Sequence, residues 1–357
     1  MGVEFETFDV PGARTYYGEV FPQGLRAKAE APVSESSASL KALSESGRIS
    51  ELLDRHGALL IRGIGHPSPE TFAEIVNAIE LGRGSRPFEQ IGLAGKRTVV
   101  GENIWTANEG LPSARFYQHN EYSRYTRFPA NIHFYSISKG TKGGATPVAH
   151  SEAVFDRVLA EIPELVRGVE KHGLGMRMLF RAPGQEGKHN GFNWAGEYSF
   201  GQDLQPGDDE ATKRAKAEKQ IRRLTNDFKW LEDGSVELTQ HIPGIRRHPV
   251  SGRPVWFNGL VGRHGITRDI GALEPPYIGR DGMTYLPCVY GDETPIPREY
   301  LDKLIEVIDK EEIYLTLDEG DLLLVDNLRV SHGRQPWEGD RLVLVSMWEG
   351  AHEIAAY

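Results

Sequence analysis

Apolar positions change rhythm along this chain, and each rhythm predicts an element. Over 40–56 the spacing is helical and stops at Gly57. From Ser68 to about Leu81 it is helical again: Ser68 caps, Pro69 sits in the first turn, and Phe72, Ile75, Val76 and Ile79 share one face. The run 58–62 between them is short, apolar and closed by Gly63, which predicts a strand. The Ser-, Pro- and Ala-containing stretch 30–40 is expected to be a loop. From 97 to 149 β-branched and aromatic residues dominate, predicting strands over 97–105, 115–121, 131–138 and 145–149 with a turn at 140–144. Helical spacing returns over 151–171 through Val154, Val158, Leu159, Ile162 and Leu165, interrupted at Pro163. The Gly- and charge-rich segment 183–240, with a charged helix near 209–229, reads as a surface insertion or lid. Strands at 255–258, 321–326 and 341–348 and a helix over 298–312 complete the pattern.

Strands on both sides of a helical insertion, without regular β-α-β alternation, predict an α+β chain with a mainly β core. A double-stranded β-helix (jelly roll) with flanking helices is the expected form, because it leaves few open sheet edges. The 357 residues are expected to make one domain, in a size range that closed β architectures reach.

Composition narrows the function. Lys and Arg number 41 against 51 Asp and Glu, a net charge of −10 that argues against a nucleic-acid partner. The longest apolar runs fall far short of the roughly 18 residues that a membrane helix needs, and the acidic N-terminus does not resemble a secretory signal. A cytoplasmic protein without a membrane partner is expected. Cys288 is the only cysteine, so a metal site must draw on His, Asp and Glu. Assembly into a homo-oligomer is left open.

His119-Asn120-Glu121 supplies such ligands. Residues two apart on a strand point the same way, so His119 and Glu121 can offer an imidazole and a carboxylate to one ion while Asn120 faces away. A third ligand must come from far along the chain, and His332, just after the apolar strand 322–325, is well placed. Two His and one carboxylate leave open positions, the arrangement of non-haem iron oxygenases. The short pattern alone is weak, since a second copy exists at His150-Ser151-Glu152. That copy has a structural explanation, with Ser151 as a helix cap and Glu152 as a first-turn acid. Nine residues after His332, Arg341 opens a strand on which Arg341, Val343, Val345 and Met347 share a face. An Arg at the end of an apolar inner face needs a carboxylate, which the distal end of 2-oxoglutarate would provide; a strand-edge Arg paired with a surface acid is the plainer reading.

Taken together, His119-Asn120-Glu121, Gly143-Gly144-Ala145-Thr146-Pro147, Val255-Trp256-Phe257-Asn258, Gly320 to Asn327, His332-Gly333-Arg334-Gln335-Pro336-Trp337 and Arg341 resemble, in order and spacing, the Fe(II)/2-oxoglutarate oxygenases of the taurine dioxygenase and clavaminate synthase-like superfamily, over roughly 50–350. The resemblance implies that His119, Glu121 and His332 bind Fe(II), and that Thr146 and Arg341 hold the 2-oxoglutarate carboxylate. It implies oxidation of a C–H bond with O2, releasing succinate and CO2. Glu replaces the commoner Asp, as in clavaminate synthase-like members, and the presence of a carboxylate disfavours the halogenating variants. Members similar to taurine dioxygenase often carry a second Arg four residues after the first; here that position is Val345, which makes a sulfonate substrate less expected.

The expected substrate is a small polar molecule, an amino acid or a biosynthetic intermediate. Hydroxylation is the default outcome; desaturation or ring closure, including C–N (aziridine) closure on an amino acid such as valine, lies within the family. Tyr117, Asn258, Val343 and Val345 are candidate substrate contacts, each with a core or turn role as the alternative. Asn103, Trp105 and Asn108 lie in a segment that could close the mouth. Arg115, Arg124 and Arg127 flank the metal strand, either solvated or with one neutralising an anionic substrate. Two other classes compete: a non-catalytic jelly-roll metal-binding or sensor module, and a zinc hydrolase with the same ligands, which would have no use for an Arg341 facing the site.

Overall fold

A computed structural model describes residues 2–95, 97–107, 110–186 and 192–350. Asn108 and residues 187–191 of the expected insertion lie outside them. Eight helices occur among the described residues: α1 (Val33–Glu45), α2 (Arg48–His56), α3 (Pro69–Gly82), α4 (Ser151–Glu161), α5 (Pro163–His172), α6 (Glu210–Ile221), α7 (Leu260–Asp269) and α8 (Arg298–Asp309). None is long and apolar enough to cross a membrane.

Two sheets carry the architecture. The nine-stranded one runs Phe5–Phe8, Gln23–Ala27, Ala58–Arg62, Leu322–Asp326, Asn131–Lys139, Arg341–Glu349, Ile104–Thr106, Val99–Gly101, with Arg86–Pro87 paired to Arg341–Glu349. Its one parallel pair is Gln23–Ala27 with Ala58–Arg62. The smaller one, one of two four-stranded sheets among the described residues, runs Ile313–Leu315, Thr146–His150, Val330–Arg334, Phe116–His119, antiparallel throughout.

Alternation along the strands explains how these layers stack. In Arg341–Glu349, Val343, Val345 and Met347 join a buried cluster that also holds Val148, Ile313, Leu315 and Val330 of the smaller sheet, so the two sheets face each other across it. The intervening Leu344 and Trp348 point the other way, onto Leu40, Ile49, Leu53, Phe72 and Ile75 of α1–α3. The far side of the smaller sheet carries Tyr117 and Ala149, covered by α4, α5, α7 and α8. A cavity opened at Leu323, between the two sheets, would cost roughly 2–5 kcal/mol.

Several expectations need correction. Residues 33–40 are helical, not loop: the Ser residues buried at 36, 37 and 44 let α1 pack closely on α3. The 97–105 stretch is two short strands, Val99–Gly101 and Ile104–Thr106, because the chain turns at Asn103 with φ 54°. Leu159 is exposed; Phe155 takes the inward position on α4. Ser151 is not the cap of α4 but its first residue, with His150 at the cap position, and Ser151 Oγ accepts from Asn120 Nδ2. The charged helix ends at Ile221, and an Asp233-Gly234 hairpin turn brings Phe228–Trp230 against Val236–Ile242. Local pattern predicts no helix over α7, whose Gly residues disfavour one. A side chain at Gly265 would collide with the Tyr117 ring, so close packing decides.

Candidate metal centre

His119 ends the Phe116–His119 strand and stands opposite His332 in the ladder, with ring centroids 4.4 Å apart. Glu121 lies two residues beyond the strand end, in a turn. That turn is fixed by Asn327: the Glu121 amide donates to Asn327 Oδ1 at 2.7 Å, and Asn327 Nδ2 donates to the carbonyls of Glu121 at 3.0 Å and Pro129 at 2.7 Å. The result is one carboxylate oxygen, Glu121 Oε2, 3.6 Å from both His119 Nε2 and His332 Nε2. All three donor atoms lie within 4.8 Å of one another.

The surroundings prepare these atoms for a cation. His119 Nδ1 sits 2.9 Å from the Tyr117 carbonyl, an acceptor, so Nδ1 is the donor there and Nε2 is the nitrogen turned to the metal position. Burial, then the adjacent His119, push His332 down to about 4, so its ring is neutral at ordinary pH. Burial alone would raise the Glu121 carboxyl. Arg97, whose Nη2 is 2.5 Å from Oε1, together with the His119 and His332 rings outweighs it and holds the group well below the usual carboxylate range. Arg97 therefore occupies the outer oxygen and leaves the inner one for a metal. Two imidazole nitrogens and one carboxylate oxygen suit a divalent first-row ion, so the donor set fits iron.

A second polar cluster stands on the same cavity. Arg341 is buried at the start of its strand; its Nε donates to the Gly144 carbonyl at 3.0 Å and its Nη2 approaches Thr146 Oγ1 at 3.4 Å. Gly144 has φ 72°, and a side chain there would meet Arg341 Cδ and Nε at about 3 Å. Burial, helped by nearby Arg334, pushes Arg341 down to about 10. The cavity, about 340 Å³, is lined by the three candidate ligands, Thr146, Arg341, Arg97, Arg334 and an apolar wall that includes Ile132, Phe134 and Val343.

A sequence profile of the taurine catabolism dioxygenase TauD, TfdA family matches residues 22–348. The chain belongs to the TauD/TfdA family. As a member it is a dioxygenase. It is similar to the clavaminate synthase-like protein At3g21360 of Arabidopsis thaliana, 28% identical over 84% of this chain and 83% of that one. It is also similar to the dapdiamide synthesis protein DdaC of Enterobacter agglomerans, 28% identical over 90% of this chain and 91% of that one. Among solved structures it is similar to an α-ketoglutarate-dependent taurine dioxygenase of Burkholderia xenovorans, with a TM-score of 0.50 at 12% identity, covering 96% and 92% of the two chains.

On this TauD/TfdA chain the other candidates scatter. Val343 lines the cavity, whereas Val345 is buried in the core between the sheets. The Tyr117 ring packs under α7, its hydroxyl donating to Asp269 at 2.7 Å, and the residue is part of the cavity's lining. Asn258 is spent on the fold: its Nδ2 donates to the Gly244 carbonyl at 2.8 Å and its Oδ1 accepts from the Leu260 amide at the start of α7. It does not line the cavity among the described residues, which corrects its expected role. Asn103 hydrogen-bonds Ser346 and the Met347 carbonyl, and buried Trp105 pairs with Val345 in the large sheet. Neither is free to close over the cavity.

Sequence reasoning missed Arg97 and Asn327. Nothing in the spacing around Arg97 announces it. Asn327 was visible in the Asp326-Asn327 ending of an apolar strand, where a side-chain amide has few partners except other backbone.

Proposed function

We propose that this chain is an Fe(II)- and 2-oxoglutarate-dependent dioxygenase that oxidises a C–H bond of a small polar substrate, an amino acid or a biosynthetic intermediate. His119, Glu121 and His332 would hold the iron; Thr146 and Arg341 would hold the distal carboxylate of 2-oxoglutarate. When bound, iron with 2-oxoglutarate and O2 supplies the oxidising power and releases succinate and CO2. The chain's own residues do the rest. Arg97 steadies the outer oxygen of Glu121, and the Tyr117 carbonyl sets the tautomer of His119. Phe134, Ile132 and Val343 keep water from the reacting carbon.

The observation that carries this reading is the convergence of three candidate ligands and a buried Arg–Thr pair on one cavity. A zinc hydrolase has no use for the second cluster. The relative named for dapdiamide synthesis supports a biosynthetic substrate. We read the two facing sheets as a double-stranded β-helix, the whole chain as one catalytic unit, and 183–240 as its lid. Hydroxylation is the outcome we propose, with desaturation or aziridine closure as the competing results.

The test is a mass-spectrometric screen of small amino acids with iron, 2-oxoglutarate and O2. A product that gains one oxygen, formed with matching succinate, supports hydroxylation. Loss of two hydrogens with matching succinate supports desaturation or ring closure. Failure to bind 2-oxoglutarate in the presence of iron would overturn the assignment.

A further inference from the structure

The three arginines beside the metal strand meet different fates. Arg115 is paired with Asp309 at 2.5 Å and Glu312 at 2.8 Å. Arg127 is paired with Glu89 and Glu349, each at 3.3 Å. Arg124, three residues after Glu121, makes no hydrogen bond or ion pair among the described residues, and it lines the cavity that holds the candidate ligands.

Arg124 lies beside a second cation. Its stem crosses Gly259, the cap residue of α7, so closely that a methyl group there would overlap Cγ. One turn into α7, Arg263 also lines the cavity. It donates to the Leu286 carbonyl at 3.0 and 3.2 Å and rests 5.0 Å over the Tyr285 ring, with no carboxylate partner among the described residues. Burial and the neighbouring Arg124 push it down to about 10. A methyl group on its chain neighbour Gly262 would lie 3.8 Å from the His119 Cβ, which sets this cationic corner beside the candidate metal on the α7 side. Arg341 and Thr146 belong to strands on another wall.

Two half-buried guanidinium groups facing one cavity, neither with a carboxylate partner of its own among the described residues, are costly unless an anion joins them. Arg246 shows that a lone buried arginine needs no ligand, since it stacks between Phe128 and Phe257, at 4.5 and 5.6 Å. No aromatic ring among the described residues lies beneath Arg124. We infer that Arg124 and Arg263 form the receptor for a carboxylate of the substrate to be oxidised, separate from the arginine assigned to 2-oxoglutarate. This rests on the proposed function and narrows its substrate to one carrying a free carboxylate. A guanidinium fork takes a carboxylate through two parallel hydrogen bonds, which would fix the neighbouring carbons relative to the iron.

The experiment measures anaerobic calorimetric binding to the protein loaded with Fe(II) and 2-oxoglutarate. The probes are the standard L-amino acids and their C-terminal amides. At least one acid should bind, and its amide should bind about 30-fold more weakly. Arg124→Gln should weaken the acid by a similar factor and leave the amide unchanged, while 2-oxoglutarate affinity moves less than about threefold. Arg263→Gln should act alike; because Arg263 also holds the Leu286 carbonyl, Arg124→Gln is the deciding variant if that protein misfolds. Equal binding of acid and amide, no binding of any acid, or an unaltered acid affinity in Arg124→Gln would each overturn the receptor. Loss of 2-oxoglutarate binding by the wild type would instead overturn the enzyme assignment.

Discussion

The chain contains His-x-Glu twice, at 119–121 and at 150–152, and only one copy makes a place for a metal. Both histidines sit at the end of a strand of the sheet that runs from Ile313–Leu315 to Phe116–His119. After His119 the chain turns, and Asn327 grips that turn so that Glu121 Oε2 comes back to the imidazole. After His150 the chain enters α4, where successive residues rotate by about 100°. Glu152 is carried to Arg329 Nε at 3.2 Å and Ser251 Oγ at 2.6 Å. His150 is left among the rings of Tyr16, Tyr17 and Phe21, with Nδ1 unpartnered among the described residues. The pattern names the donors; whether they meet depends on the backbone past the strand end, a turn in one copy and a helix in the other.

The largest expected effect separates the two copies outright. His332→Ala should lower iron affinity by on the order of 100-fold or more and abolish turnover, whereas His150→Phe should leave both within about threefold. Equilibrium dialysis of iron with each variant checks this, and iron retained by His332→Ala would remove the proposed ligand set. Arg341→Ala should come next, raising the 2-oxoglutarate requirement about 100-fold with iron affinity little changed. An unaltered requirement would return that Arg to a structural role.

Arg97→Gln sharpens the comparison on the side of the carboxylate. Without the guanidinium, Oε1 is free and Glu121 can rotate away from the two imidazoles. A loss of iron affinity of roughly tenfold to 100-fold is expected, with the folded state retained, as judged by circular dichroism. Asn327→Ala should act through the backbone instead, costing about 2–3 kcal/mol in urea unfolding and weakening iron in parallel. A variant with normal stability and normal iron binding would show that the turn holds its shape unaided.

Much of this was legible in the residues. The alternation through Arg341, Val343, Val345 and Met347 predicted a shared face, and those residues do share the cluster between the sheets or border it. Ser68 and Pro69 marked the start of α3, and Ser68 Oγ accepts from the Thr71 amide. Alternation over an expected strand 115–121 pointed to residues 119 and 121, with 332 as the distant partner; the same donors do meet, but the strand stops at His119 and Glu121 returns through the turn held by Asn327. What could not be read depends on close approach between remote segments. α7 lies where it does because Gly265 lets it pack onto the Tyr117 ring, and no local pattern encodes that. The Arg97–Glu121 pair spans 24 residues and an intervening loop. Asn258 misled because an amide at the end of an apolar strand serves equally well to cap the next helix.

The smallest effect tests the sealed copy by itself. Burial, reinforced by Arg329 and opposed by Asp326, pushes His150 down to about 3, against roughly 6.5 in an unfolded chain. The unfolded state therefore takes up the proton first. The stability contributed by the neutral ring is complete above about pH 6.5 and is lost as pH falls toward 3, by up to about 1.4 kcal/mol per pH unit. His332 is depressed too, through its own burial, but its contribution is the same in any pair of proteins that differ only at position 150. Urea unfolding of the metal-free wild type and of His150→Phe, between about pH 7 and pH 5, isolates the difference. The wild type should lose stability faster on acidification, by close to one proton's worth of slope. Parallel slopes would mean that water or a neighbouring acceptor reaches Nδ1, and that the second motif is less closed than its aromatic walls imply.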